Sequence, residues 1–462
     1  MADIEELVRL LKELEEELVH CTRCGMCQAV CPLYGATGRE TDVARGKIVL
    51  VENLSKEILD DPEAVKQRLD RCLLCGSCEA ACPGGVPIMD IFLKARAIIT
   101  GYLGLSPVKK AIFRGLLSNP DRFDKLLKWM ARLQGPFSRQ VSETLGSSCA
   151  RFMSPVIGDR HFMPIASEAW HKKGHRQFLR PRDPGLRVVF YPGCLVDRIF
   201  PRVAEAVMKV LDFHEVDVFA ADRVPCCGIP ALSAGDRQSF EKLVRQNMDI
   251  LDSLDFDYLV TPCATCTATI RKFWPAMIEA GAGGLTGEIQ EKVLAASEKT
   301  RDINELLVDV LGVQAPAAPA SGAKSLTYHD PCHLKKSLGI SRQPRTVLAA
   351  AGDVNFAEMR EPDRCCGMGG SFNLQHYGLS DKIGQKKLAA ILETGADTVA
   401  TGCPACMLQL TDLLSRGGHA LAVKHPVEVY AEALQQRPGL QKPVDAQKPG
   451  NTDYDKATET YR

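Results

Sequence analysis

Apolar positions at Ile4, Leu7, Leu11, Leu14 and Leu18, with acidic residues between them, predict an amphipathic helix across residues 1–19. Residues 107–133 show the helical period again, now with a basic polar face formed by Lys109, Lys110, Arg114, Lys125, Lys128 and Arg132. That face suits a membrane surface, an acidic partner or plain solvent. From residue 188 the pattern changes. Short β-rich runs at 188–191, 258–260 and 398–400 each stop just before a cysteine, and helical patterns such as 204–213 and 239–251 lie between them. Strand–helix alternation predicts a parallel α/β sheet, whose ligands gather at the carboxyl ends of the strands. No run of 18 apolar residues predicts a transmembrane segment, and the first helix lacks the basic start and apolar core of a signal peptide. We therefore expect a cytoplasmic protein that reaches the cytoplasmic face of the inner membrane only through a partner.

The carboxyl-terminal part is an internal duplication. Residues 188–194 (VVFYPGC) match 326–332 (LTYHDPC), 224–228 (VPCCG) match 363–367 (DRCCG), and 258–266 (YLVTPCATC) match 398–406 (TVATGCPAC). The offsets between matched cysteines are 138, 139 and 140 residues, so the copies stay almost in register. These patterns divide the chain into an N-terminal domain at 1–101, a helical connecting segment at 102–187, a first repeat at 188–314, a linker at 315–324, a second repeat at 325–434 and a disordered tail at 435–462.

Composition alters this picture at one point. The chain of 462 residues is 45% apolar and 25% charged, and 57 basic residues equal 57 acidic ones, so no overall field favours nucleic acid. The exception is cysteine. Of 19 cysteines, all but Cys149 fall into four motif blocks. A disulfide framework belongs to short secreted chains, so this usage points to metal ligation or redox chemistry.

Cys21-x2-Cys24-x2-Cys27-x3-Cys31-Pro32 has the bacterial ferredoxin spacing for a [4Fe–4S] cluster, and it recurs as Cys72-x2-Cys75-x2-Cys78-x3-Cys82-Pro83. In such two-cluster domains the fourth cysteine crosses to the other cluster. Cys21, Cys24, Cys27 and Cys82 are thus expected on one cluster, and Cys72, Cys75, Cys78 and Cys31 on the second. A structural zinc scaffold is the alternative, but zinc sites usually pair two C-x2-C units. The repeats carry Cys194, Cys226, Cys227, Cys263 and Cys266, then Cys332, Cys365, Cys366, Cys403 and Cys406. Five thiolates exceed the needs of tetrahedral zinc, and adjacent cysteines suit a larger inorganic cluster better than one small ion. Gly228 and Gly367 after each cysteine pair are expected at positive φ, where the backbone comes close to a cluster.

This arrangement resembles the CCG-domain family of iron–sulfur proteins, and most closely the iron–sulfur subunits of glycolate oxidase and D-lactate dehydrogenase. The resemblance rests on residues 21–32, 44–48, 69–83, 191–194, 224–228, 329–334 and 365–370, and more weakly on 423–434 after His425-Pro426. It implies an α+β multidomain architecture: a helical two-[4Fe–4S] ferredoxin-like domain followed by two duplicated α/β CCG domains, with one further iron–sulfur cluster per CCG repeat. It also implies a subunit that takes electrons from an FAD-containing dehydrogenase and passes them to quinone or another membrane electron carrier. The complete cysteine set in the second repeat departs from many glycolate oxidase subunits. Two complete sets also resemble the catalytic part of heterodisulfide reductase, which would reduce a disulfide at its CCG clusters.

Four side chains beside the motifs invite a role. His329 and His333 flank Cys332, where each can orient a thiolate, shuttle a proton or simply be hydrogen-bonded. Arg45 and Lys47 follow the first motif, where they would screen anionic clusters. No G-x-G-x-x-G or P-loop occurs, since residues 281–287 and 367–371 fail the spacing. We accordingly expect no hydride-accepting cofactor in this chain, and the flavin in another.

Overall fold

A computed structural model describes residues 14–152, 158–173, 185–221, 225–279, 287–315, 324–352 and 354–436, with 8, 11, 12, 223 and 285. Ile4, Leu7, most of the 315–324 linker and the tail beyond 436 lie outside the described residues.

Among the described residues, no strand precedes Ser138. Leu11, Leu14 and Leu18 are buried against Ile48, Val51 and Leu54 of helix Ala44–Ser55 and against helix Ile88–Leu103. The latter buries Ile88, Ile91, Phe92, Ala95 and Ile99, the three- and four-residue spacing of one helical face. Each such large side chain removed from water contributes about 1.5–3 kcal/mol. The ferredoxin-type loops sit at the end of this bundle, each leading into a short helix, Met26–Val30 or Ser77–Ala80.

The connecting segment, expected to be helical, is so only in its first part. It is helical through Pro120–Phe137, then forms an antiparallel sheet of β1 (Ser138–Ser142), β2 (Ser147–Ala150) and β3 (His161–Phe162). Pro136 falls in the last helical turn, and Gly146 at φ 64° closes the hairpin that pairs Arg139 with Cys149.

Two parallel sheets follow. The first comprises β4 (Arg187–Phe190), β5 (Asp217–Ala220), β6 (Tyr258–Thr261) and β7 (Thr300–Asp302), in the order β5-β4-β6-β7. The second comprises β8 (Lys324–Tyr328), β9 (Val354–Phe356), β10 (Thr398–Ala400) and β11 (Ala422–Lys424), in the order β9-β8-β10-β11. The orders are equivalent strand for strand, as a duplication requires. In both, the first and third strands pair at the centre, Phe190 opposite Val260 and Tyr328 opposite Ala400.

The N-terminal bundle docks on both repeats. The buried Arg96 guanidinium donates to Ser233 O at 2.8 Å and to Cys72 O at 3.0 Å. Lys272 pairs with Glu79 at 2.6 Å, and Lys336 donates to Ser77 Oγ at 2.6 Å. At Gly235 a Cβ would collide with the backbone of Arg96, so only glycine permits this approach.

Candidate metal centres

Cys21, Cys24 and Cys27 line one cavity together with Cys82, and Ala44, Ile48 and Val86 supply apolar wall. Cys72, Cys75 and Cys78 line a second with Cys31, backed by Met89 and Phe92. Each cavity therefore takes three thiols from one motif and one from the other. Left-handed residues flank the middle cysteine of each triple and curl the chain around the cavity: Arg23 (φ 56°) and Gly25 (85°), then Leu74 (53°) and Gly76 (70°). For Arg23 and Leu74 this conformation costs about 1–2 kcal/mol each, strain of the kind concentrated at functional sites.

Lys47 is wholly buried against the second cavity and donates to Asp42 O, while burial depresses its pKa. Arg45 lines the first cavity, donates to Arg23 O at 3.2 Å and pairs with Glu40. Burial pushes the Cys31 thiol up to about 11. All 19 cysteines are free thiols. Four thiols around each apolar-walled cavity fit the all-thiolate demand of a [4Fe–4S] cluster.

In the repeats, the cysteines follow adjacent strands at their carboxyl ends. Cys194 follows β4, Cys226 and Cys227 follow β5, and Cys263 and Cys266 follow β6. Cys332, Cys365–Cys366 and Cys403–Cys406 occupy the same places after β8, β9 and β10. In the first set, Cys226 is within hydrogen-bonding reach of Cys194 and Cys227, and Cys227 of Cys266. A Cβ on Gly193 would stand 2.9 Å from Cys266 Sγ, so the Pro-Gly-Cys turn admits that sulfur by lacking a side chain. In the second set, Cys366 Sγ lies 3.5 Å from Cys406 Sγ, and Gly367 N donates to Cys365 Sγ at 3.4 Å. His329 completes a group with Cys366 and Cys406 whose donor atoms all lie within 4.8 Å of one another. Its Nδ1 faces Pro362 O at 3.1 Å, while its buried Nε2 meets no nitrogen or oxygen partner among the described residues and has the Cys366 thiol beside it. A buried nitrogen among thiols fits a metal centre at this place.

Three of the four sets adjoin. Cys75 is within hydrogen-bonding reach of Cys332 and Cys365, which hold its thiol well below the ordinary range, and Leu33, Leu73 and Phe372 pack around the three. Cys403 likewise reaches Cys263 across the two repeats.

Comparison with known proteins identifies the parts. A family described as "Cysteine-rich domain" (CCG) matches residues 188–271 and again 326–411, and "4Fe-4S dicluster domain" matches 17–86. An uncharacterized iron–sulfur protein of Methanococcus maripaludis is 32% identical over 86% of this chain and 68% of its own length. The chain belongs to the CCG family of iron–sulfur proteins. The probable glycolate oxidase iron–sulfur subunit of Bacillus subtilis is 28% identical over 91% of the chain and 94% of its own length. One component of the dihydromethanophenazine:CoB–CoM heterodisulfide reductase of Methanosarcina barkeri is 26% identical over 90% and 94%.

The two CCG centres are not chemical copies. Tyr191 stands where His329 stands in the second repeat, and it donates to Pro225 O at 2.6 Å. Asn247 bonds Cys226 O at 3.1 Å in the first repeat, whereas buried Lys387 donates to Glu361 O at 2.7 Å and Pro362 O at 3.1 Å in the second. Burial lowers the Lys387 pKa to about 8. The second CCG centre thus has a buried amine where the first has a neutral amide.

His333 sits where the three CCG-protein units meet. Its Nε2 faces Leu74 O at 2.9 Å in the ferredoxin-type loop, its Nδ1 faces Thr265 Oγ1 at 3.3 Å, and Thr265 Oγ1 lies 3.6 Å from Cys403 Sγ. Gly228 and Gly367 have positive φ, 97° and 94°. Their missing side chains make room for packed helices rather than for a cofactor: Phe240 presses on Gly228 and the Ser380 carbonyl on Gly367. Cys149 lies apart on β2, 3.2 Å from Arg139 Nε. Sequence reasoning missed Thr265, Lys336, Lys387 and the left-handed Arg23 and Leu74. The register of the repeats, which sets Lys387 against a neutral residue, was the available signal for Lys387.

Proposed function

We propose that this chain is the iron–sulfur electron-transfer subunit of a flavin-dependent 2-hydroxy-acid dehydrogenase of the glycolate or D-lactate type. It relays electrons from an FAD-containing partner to quinone or another membrane carrier. The carrying observation is that three of the four thiol sets adjoin, with Cys75 touching Cys332 and Cys365, and Cys263 touching Cys403. The eighteen motif cysteines would hold the two [4Fe–4S] clusters and one further iron–sulfur cluster per repeat. When bound, those clusters supply one-electron donors and acceptors. The chain's own residues set their spacing and surroundings: Arg96 and His333 fix the bundle against the repeats, and Lys47, Lys336 and Lys387 place positive charge beside the thiols. The near full-length likeness to the Bacillus subtilis protein supports this reading.

A second reading, disulfide reduction at the CCG centres, is favoured by the complete cysteine set in both repeats and by the likeness to the Methanosarcina barkeri protein. Anaerobic co-purification decides between them. The first reading expects a bound flavoprotein and oxidation of glycolate or D-lactate. Turnover of a disulfide alone, by this chain alone, would reject it.

A further inference from the structure

Helix Pro120–Phe137 buries none of its residues fully, yet it is firmly held. On its inner side Asp124 pairs with His171 at 3.0 Å and with Arg198, and Gln134 exchanges hydrogen bonds with the backbone of Ile165; at its start exposed Asp121 pairs with exposed Arg223 at 2.9 Å. Its outer side is apolar. Trp129, Met130, Leu133 and Phe137 form one stripe at helical spacing, and Val141 in the following hairpin and Phe152 just after it are exposed as well. Trp129 and Phe137 are each 61% exposed and Phe152 is 69% exposed. Exposed Arg122, Lys125, Lys128, Arg132, Arg139 and Arg151 lie on the same helix and hairpin, and none pairs with a carboxylate among the described residues. Residues 107–152 hold nine lysines and arginines against three acids, in a chain whose total charge is zero. Two of those acids are engaged, Asp121 by Arg223 and Asp124 by His171 and Arg198.

We infer that this face docks in the plane of an anionic lipid surface. A helix with aromatic and aliphatic residues on one side and, beside them, cations that meet no carboxylate among the described residues has the form of an interfacial helix. Its charge complements acidic headgroups. A spanning role is not available to it, because no helix among the described residues is long and apolar enough to cross a membrane. The inference extends the proposed delivery of electrons to a membrane carrier, and so rests on that reading for its purpose. Its physical basis does not depend on which flavoprotein is the donor.

The test is flotation of the cluster-loaded chain with phosphatidylglycerol vesicles, with phosphatidylcholine vesicles as control. Trp129 serves as reporter, since the other two tryptophans, Trp170 and Trp274, are buried. Binding to the acidic vesicles with a blue shift of Trp129 emission, and release at high salt, is the expected result; the wild-type salt response needs no variant. Each of Lys125→Glu, Lys128→Glu and Arg132→Glu should weaken partitioning at least fivefold, taking roughly 1 kcal/mol per basic residue removed. No binding, equal binding to both vesicle types, or self-association abolished by Phe137→Ser would overturn the inference. Flotation does not read turnover. Failure here with intact hydroxy-acid oxidation would remove the lipid surface and leave the relay standing.

Discussion

Lys387 is fully buried, its ammonium held by two backbone carbonyls beneath the second CCG centre. A fixed positive charge there stabilises the reduced, more negative form of any cluster the thiols hold. Lys387→Met is expected to lower the midpoint potential of the second centre while leaving the first unchanged, which a potentiometric titration followed by electron paramagnetic resonance would read. Equal shifts of both centres would refute the asymmetry. Trp274 acts on stability. Its Nε1 donates to Cys227 O at 2.9 Å in a buried setting, so Trp274→Phe strands that carbonyl at a cost of about 1–3 kcal/mol. Thermal unfolding of the metal-free and loaded protein would measure it. At this scale the sequence showed which cysteines matter but not their surroundings. Spacing reveals ligands within one loop; the meeting of Cys75 with Cys332 depends on how separate units pack.

Among the elements, the two glycines after the cysteine pairs make a graded prediction. An alanine at either position is forced into left-handed backbone, costing about 1–2 kcal/mol. Gly367→Ala should be worse than Gly228→Ala, because its Cβ would stand closer to the Ser380 carbonyl oxygen than the 2.7 Å at which, on Gly228, it would meet the edge of the buried Phe240 ring. Denaturant titration would rank them. The His171 clamp predicts a pH dependence. Burial opposes its charge, but hydrogen bonds to Asp124 and Asp197 raise its pKa above the usual value, with Arg198 and Lys172 the nearby cations. A raised native pKa means that this stabilisation is complete below about 6.5 and is lost as pH climbs through the folded value. Helix Pro120–Phe137 should therefore be more readily cut by protease at pH 8.5 than at pH 6, and His171→Gln should abolish the difference. Strands β4, β6 and β10 were legible from their apolar runs. The hairpin at 138–150 was not, because Ser-Arg-Gln-Val-Ser offers no buried face, and its pairing rests on the backbone ladder and one Arg139–Cys149 contact.

Across the whole molecule, the duplication was readable because five cysteines recur in register, and the equivalent strand orders follow from it. The wiring was not readable: the N-terminal domain meets the second repeat through Cys75, Ser77 and Leu74, none marked for that role by spacing. Cys75→Ser removes one thiol from the second cavity and the contact with Cys332 and Cys365. It should abolish that cluster's resonance signal and slow reduction of both CCG centres, while the Cys21 set keeps its signal. The most direct test of the relay is freeze-quench electron paramagnetic resonance on the anaerobic complex of this chain with its flavoprotein, mixed with D-lactate or glycolate. The account predicts that reduced-cluster signals rise as fast as the hydroxy acid is oxidised and fall when a quinone analogue is added. Hydroxy-acid oxidation with the clusters left oxidised throughout would contradict it.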